Sequence, residues 1–76
     1  MLKINIGTSF DPEEIIVDEN ITLAEAFKKV NVPVTGSTIV TINARRETNL
    51  NATLTELNIQ DGDLITANEK QDGARG

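Results

Sequence analysis

The residues of this sequence that could do chemistry are mainly carboxylates and hydroxyls, because it contains no cysteine and no histidine. Disulfides, thiolate nucleophiles, zinc sites of the usual kind and imidazole acid–base catalysis are therefore excluded. Glu13-Glu14 and Asp18-Glu19 have the residue types of an acid–base pair, but they lie in a polar segment beside no apolar pocket. We interpret both pairs as solvated surface.

Three other polar motifs have structural explanations. Asp61-Gly62-Asp63 lacks the further acidic residues of a calcium loop, so we interpret it as a tight turn and predict no metal site. Thr22 with Glu25, and again Thr53 with Glu56, have the spacing of a capping box, in which each residue satisfies the other's backbone N–H. No base accompanies these hydroxyls in a pattern that would activate a nucleophile. The sequence therefore predicts a protein that is not an enzyme and needs no cofactor.

The first half of the chain predicts a hairpin followed by a helix. Residues 2–6 alternate apolar and polar side chains, and Ile15-Ile16-Val17 is a β-branched run, so each segment is typical of a strand. We expect a loop of about eight residues between them, with Pro12 in the loop. After Thr22, apolar residues at helical spacing predict a helix that ends at Val32-Pro33.

The second half predicts three shorter strands. Ile39–Ile42 is the third, Asn43–Arg46 a turn, and Glu47–Leu50 a polar strand on the sheet edge. A helical turn over Leu54 and Leu57 then leads to a last strand over residues 64–68.

The element order β-β-α-β-β-turn-β predicts an α+β fold in which a mixed four- to five-stranded sheet packs on one helix. The crossover through the helix favours parallel pairing of the first and third strands. We expect Phe10 and Phe27 to join Leu, Ile and Val in the core. Residues 1–68 form the domain. Residues 69–76 contain one apolar residue, Ala74, so we predict a flexible polar tail.

Size and charge restrict the classes of partner. Seventy-six residues suit one domain. Twelve acidic residues against seven basic ones give a net charge of −5, which repels nucleic acid. No stretch approaches the roughly 20 apolar residues of a membrane span, and the start does not resemble a signal peptide. We therefore expect a cytoplasmic protein that contacts neither nucleic acid nor membrane.

Three segments carry a resemblance to the β-grasp superfamily, which includes ubiquitin and the ThiS/MoaD sulfur carriers. They are Ile21-Thr22-Leu23-Ala24-Glu25-Ala26, Val40-Thr41-Ile42-Asn43, and the run from Leu57 to Ile65 with its Gly-Asp turn. The resemblance covers roughly residues 1 to 68, and it implies a β-grasp, ubiquitin-like fold. In that superfamily an E1-like adenylating enzyme activates a C-terminal Gly-Gly. This sequence ends in Arg75-Gly76, so only Gly76 matches.

Two main hypotheses about function stay open at this stage, and a minor third is a component of a larger assembly in which a neighbour completes the strand edge. The first is an interaction or adaptor module that docks on another protein. Its predicted contacts are the Arg45-Arg46 turn, which could pair with a partner carboxylate, and an outward-facing apolar patch on the sheet made of Ile16, Ile39 and Ile65. The second, implied by the resemblance, is a sulfur carrier or protein modifier activated at the Gly76 carboxylate. A plain solvated terminus is the alternative reading of the tail.

Overall fold

The structure, a computed structural model, describes residues 1–69, and within them it has five strands and one α-helix. The elements are β1 Leu2–Thr8, β2 Asp11–Val17, α1 Leu23–Lys29, β3 Thr38–Ile42, β4 Arg45–Glu47 and β5 Leu64–Glu69. The strands form one mixed sheet in the order β2-β1-β5-β3-β4, which is the β-grasp pattern. The predicted α+β fold class is therefore confirmed. The last strand runs one residue past the predicted domain boundary, and the rest of the predicted tail, residues 70–76, lies outside the described residues.

The predicted pairing of the first and third strands is wrong, because β5 lies between them. It pairs in parallel with β1 and antiparallel with β3. Three consecutive residues of β5, Ile65, Thr66 and Ala67, are buried. Consecutive residues of a strand point to opposite faces, so such a run belongs in the middle of a sheet, where neighbouring strands cover both faces.

The hairpin of β1 and β2 is tighter than predicted. Thr8 pairs with Asp11, so only Ser9 and Phe10 form the turn, and Pro12 lies inside β2. A proline is tolerated there because β2 is an edge strand. Gly7 faces Pro12, and a Cβ at Gly7 would lie 2.7 Å from the carbonyl oxygen of Asp11, so the hairpin closes only around a glycine.

One face of the sheet packs against α1. The helix buries Leu23, Ala26 and Phe27, as the helical spacing predicts. The largest fully buried side chains are Phe27, Ile4, Ile6, Leu23, Leu54, Ile65 and Val17. Phe10 is not among them: its place at the turn leaves it 95% exposed, so its predicted role in the core is wrong. No helix within residues 1–69 is long and apolar enough to cross a bilayer.

Both ends of α1 are capped by local hydrogen bonds. The predicted capping box is present: the amide of Glu25 donates to the Thr22 hydroxyl (3.1 Å), and the Thr22 amide donates to the Glu25 carboxylate (2.9 Å). At the other end Asn31 adopts a left-handed conformation with φ +58°, and the amide of Val32 donates to the carbonyl of Phe27 (3.1 Å). This is a Schellman motif, and it ends the helix before the proline does.

The second Thr-Leu-x-Glu segment repeats these caps around a single turn. The Glu56 amide donates to the Thr53 hydroxyl (3.1 Å), and the Thr53 amide donates to the Glu56 carboxylate (2.8 Å). Asn58 has φ +57°, and the amide of Ile59 donates to the carbonyl of Leu54 (3.0 Å). The capping-box interpretation is therefore confirmed for both segments.

The two capped segments also bond to each other. In each segment the two amides that follow the capping threonine donate to carbonyls that precede the other segment. The four bonds are Leu23 N–Ala52 O (3.1 Å), Ala24 N–Leu50 O (3.0 Å), Leu54 N–Ile21 O (3.0 Å) and Thr55 N–Glu19 O (3.0 Å). Amides at the start of a helix have no intrahelical partner, so this exchange satisfies groups that burial would otherwise penalise. We call it the cap exchange.

The turn before β4 is two residues shorter than predicted, so β4 begins two residues earlier. Asn43 and Ala44 form it, with φ values of +51° and +72°, and β4 takes Arg45–Glu47 on the sheet edge. Asn43 also joins two strands, since its amide donates to the carbonyl of Leu64 (2.7 Å) and its side-chain oxygen accepts from the Leu64 amide (2.9 Å). The asparagine that ends β3 therefore also fixes the start of β5.

Replacing Ala44 with glycine is expected to stabilise the fold. A left-handed conformation costs an L-residue about 1–2 kcal/mol, of which the extra freedom of glycine in the unfolded chain cancels about 0.4–1 kcal/mol. Urea unfolding of Ala44→Gly should show a raised midpoint. The control is Ala24→Gly inside α1, which should lower it by the equivalent of about 0.5–1 kcal/mol. A lowered midpoint for both variants would contradict the assigned turn.

The Glu25 charge is expected to make stability depend on pH. The hydrogen bond from the Thr22 backbone, then that from its hydroxyl, then Lys28 and Lys29, hold the pKa of the Glu25 carboxyl below its usual value. A lowered pKa stabilises the fold above the pKa of the unfolded chain, about 4.3, and this contribution disappears as the pH falls through the folded value.

Glu25→Gln keeps the capping acceptor and removes the charge. Its unfolding free energy should fall below that of the unchanged protein at pH 7, and the two should converge as the pH falls through the folded pKa of Glu25. Urea melts at a series of pH values measure the difference. Glu13→Gln, on the exposed part of β2, is the control, and an identical pH dependence for the two variants would refute the assignment.

Candidate functional site

The residues predicted to form an outward apolar patch do not come together. Ile16 is 65% exposed and Ile39 is partly exposed, and both lie on the sheet face opposite the helix. Ile65 is fully buried, so its predicted role as a contact is wrong. The reason is its register: Ile65 pairs with the core residues Ile6 and Ile42, and the exposed aliphatic residue of that strand is Leu64.

Polar neighbours separate the apolar residues that remain on this outer face. Lys3 pairs with Ile16, Asn5 with Leu64, and Asn68 with Ile39. In the middle of the face the hydroxyls of Thr41 and Thr66 lie 2.6 Å apart in a hydrogen bond. Within residues 1–69 this face therefore presents isolated apolar side chains, which are ordinary on a protein surface.

The two arginines predicted as contacts lie on the edge strand β4. Arg46 pairs with Thr41 and faces outward, whereas Arg45 pairs with the buried Ile42 on the helix side. Among residues 1–69 no carboxylate oxygen lies within 4.0 Å of either guanidinium group. Both border a hollow of about 210 Å³ whose apolar part comes from Ile42 and Leu57. Their role as contacts stays a prediction.

A larger and more apolar cleft opens at the end of the sheet where the β1–β2 turn lies. Its volume is about 480 Å³. Three segments meet there: the β1–β2 turn, the chain that follows α1, and the adjoining ends of β3 and β5. The lining residues are Thr8, Ser9, Phe10, Val32, Pro33, Thr38, Ala67, Asn68 and Glu69. We call this the hairpin-end cleft.

Each wall of the hairpin-end cleft is held by hydrogen bonds. On one side the amide and the hydroxyl of Ser9 donate to the side-chain oxygen of Asn68 (3.2 and 2.9 Å), which fixes the turn that carries Phe10 to the end of β5. On the other side the Schellman motif sets the path of Val32 and Pro33. Phe10 is thus an exposed aromatic ring on an anchored turn.

The charge on the rim is negative. Both oxygens of the Glu69 carboxylate accept hydrogen bonds, one from the Ser37 hydroxyl (3.1 Å) and one from the Thr38 hydroxyl (2.9 Å). These bonds hold the carboxylate in one position at the edge of the apolar wall. Within residues 1–69 no lysine or arginine lines the cleft.

This arrangement suits binding by surface contact. The lining residues supply an apolar wall, hydroxyls and one carboxylate. Among the described residues no three carboxylates lie together in a way that could hold a metal ion. The carboxylates of Asp61 and Asp63 instead accept hydrogen bonds from the backbone amides of Lys3 (2.9 Å) and Gln60 (2.8 Å), as turn residues do.

Comparison with known proteins adds no assignment. No protein-family model matches the sequence, and no curated protein matches it. The other predicted site, the Gly76 carboxylate, lies outside the described residues.

Sequence reasoning missed Phe10 because it counted both phenylalanines as core. A signal for its exposure is present in the sequence: Thr8-Ser9-Phe10-Asp11-Pro12 places one aromatic among four residues common in turns. At strand spacing the neighbours of Phe10 are Thr8 and Pro12, so Phe10 belongs to no apolar alternation. Only contacts with residues distant in the sequence could bury such a side chain.

The two phenylalanines are expected to respond oppositely to truncation. Because Phe10 is 95% exposed, Phe10→Ser should change the free energy of unfolding by less than about 0.5 kcal/mol. Phe27 is fully buried, so Phe27→Ala should cost about 3–5 kcal/mol or prevent folding. Urea unfolding of both variants measures the contrast. A large loss for Phe10→Ser would mean that the ring packs inside the protein.

Proposed function

We propose that this chain is a protein-binding module of the β-grasp class, and that it docks on its partner through the hairpin-end cleft. The exposure of Phe10 beside an apolar wall is the observation that supports the proposal most strongly. Burying a phenylalanine side chain is worth about 1.5–3 kcal/mol, so an exposed ring is a ready source of binding energy. Aromatic anchors of this kind dominate the energy of many protein interfaces.

The anchoring of the turn supports the same proposal. Association costs free energy when flexible groups must be ordered, and pre-ordering reduces that cost. Here the bonds from Ser9 to Asn68 hold the turn before any partner arrives, and the neighbouring wall of Val32 and Pro33 lies on a capped helix end. The arginines of β4 border a separate hollow and remain secondary candidates for contact, whereas Ile16 and Ile39 are isolated on the outer face and are not part of the proposed interface.

The resemblance to ThiS/MoaD carriers and to ubiquitin supplies a second proposal. In it the chain is a carrier or modifier, and an E1-like adenylating enzyme activates the Gly76 carboxylate. The end of β5 supports this proposal, because Glu69 lines the hairpin-end cleft. An enzyme that bound the cleft would therefore sit where the chain continues toward residue 76.

Photocrosslinking at position 10 tests the first proposal. Replacing Phe10 with p-benzoylphenylalanine keeps an aromatic group there, and irradiation in the cells that make the protein should give a discrete adduct with one partner. The same group at position 16, on the outer face, is the control and should not give that adduct. Adding Pro33→Asp, on the cleft wall, should abolish the adduct formed from position 10.

Adducts that are identical from positions 10 and 16, or their absence from both, would refute docking at the cleft. Circular dichroism of the Pro33→Asp variant shows whether it still folds. The carrier proposal has a separate test. Incubation with ATP and an adenylating enzyme from the same genome should raise the intact mass by one adenylate, with release of pyrophosphate, and an unchanged mass would refute it.

A further inference from the structure

We infer that the hairpin-end cleft binds a segment of a partner protein in which an apolar side chain lies next to a lysine or arginine. This inference rests on the proposed function and specifies the chemistry of the partner. It combines three features: the apolar wall, the fixed carboxylate of Glu69, and the sign of the charge on the neighbouring strand.

The wall selects the apolar side chain. Phe10, Val32, Pro33 and Ala67 form most of the apolar lining, and a volume of about 480 Å³ accommodates one or two aliphatic side chains. The adjacent polar groups are already used within the protein: the Asn68 side-chain oxygen accepts from Ser9, and the Thr38 hydroxyl donates to the Glu69 carboxylate. A purely polar segment would therefore find few unpaired groups there.

Glu69 selects the cation. Two hydroxyls already orient its carboxylate, so a partner cation would bind a group that has little freedom left to lose. Each carboxylate oxygen has a second lone pair available for a charge-assisted hydrogen bond. Within residues 1–69 the salt bridges join the N-terminus to Glu19 and Lys3 to Glu14, and neither involves Glu69.

The charge on β2 has the same sign. Asp11 pairs with Thr8 and Glu13 pairs with Ile6, so both lie on the sheet face that packs against the helix, next to the turn that carries Phe10. Both are exposed, and among the described residues no cation lies within 4.0 Å of either. The ion pair of Lys3 with Glu14 lies on the opposite face. An incoming cation therefore meets Glu69 at the rim, with Asp11 and Glu13 on the same face of the sheet, and an acidic segment would be repelled.

Titration with short capped peptides tests the inference. The probes are acetylated, amidated peptides of sequence KLLK, ELLE and KSSK, added to the ¹⁵N-labelled full chain at low salt. KLLK should shift the amide signals of Phe10, Ala67 and Glu69 with a millimolar affinity. ELLE should bind at least about tenfold more weakly, and KSSK should leave the signals of the cleft unchanged.

Variants separate the apolar and the ionic contributions. Glu69→Gln should weaken KLLK binding about two- to fivefold, the range typical of an exposed ion pair. Glu14→Gln, on the outer face, is the matched control and should leave KLLK affinity unchanged. Phe10→Ser should abolish the shifts at the cleft.

The outcomes separate this inference from the proposed function. Equal affinity for KLLK and ELLE, with dependence on Phe10, would overturn the basic partner while leaving protein docking intact. Equal shifts from KLLK and KSSK would show charge attraction without use of the cleft, and the absence of any shift at the cleft would likewise overturn the inference. The proposal that a protein docks at the cleft is tested only by the crosslinking experiment.

Discussion

The cap exchange between the two Thr-Leu-x-Glu segments is the constraint on which the remaining architecture depends. A helix of seven residues is too short to be stable alone, and the amides at its start need partners. The second segment supplies those partners and receives the same from the first. If either segment moved, the amides of the other would lose their hydrogen-bond acceptors. The helix and the chain that leads to β5 therefore form one unit.

The position of β5 follows from that unit, and the hairpin-end cleft follows from β5. The segment after Ile59 turns at Gly62, whose amide donates to the carbonyl of Lys3 (2.7 Å), so the last strand enters the sheet beside β1. Asn43 aligns β3 against the other edge of β5. Once β5 is central, its final residues reach the β1–β2 turn, where Asn68 holds Ser9 and Glu69 reaches the loop before β3. The walls of the cleft are thus fixed by contacts that begin at the other end of the molecule.

The sequence predicted the helix, both caps and the number of strands because their signals are local, whereas the bounds of the β1–β2 turn and of β4 were wrong. Capping boxes, apolar periodicity and the asparagine after β3 each depend on residues within a few positions of one another, and the fold class followed from their order. The neighbours of β5 could not be predicted this way, since strand pairing depends on contacts between residues far apart in the chain. The prediction of which β5 residues face the core was wrong for a related reason. Leu64 and Ile65 are both large and aliphatic, so alternation alone does not show which one is buried. Phe10 was assigned to the core on residue type, which ignores the turn residues around it.

The exposure of Phe10 separates recognition from stability. A ring that is 95% exposed contributes little to the core, so the anchor of the proposed interface can differ in size or polarity without loss of the fold. Ala67 and Val32 do not have this freedom, since Ala67 is buried in the core cluster and Val32 packs against it. The proposed interface therefore has two kinds of specificity determinant. Phe10 and Glu69 set affinity and charge preference from the surface, whereas the depth of the cleft is set by residues that the core itself requires.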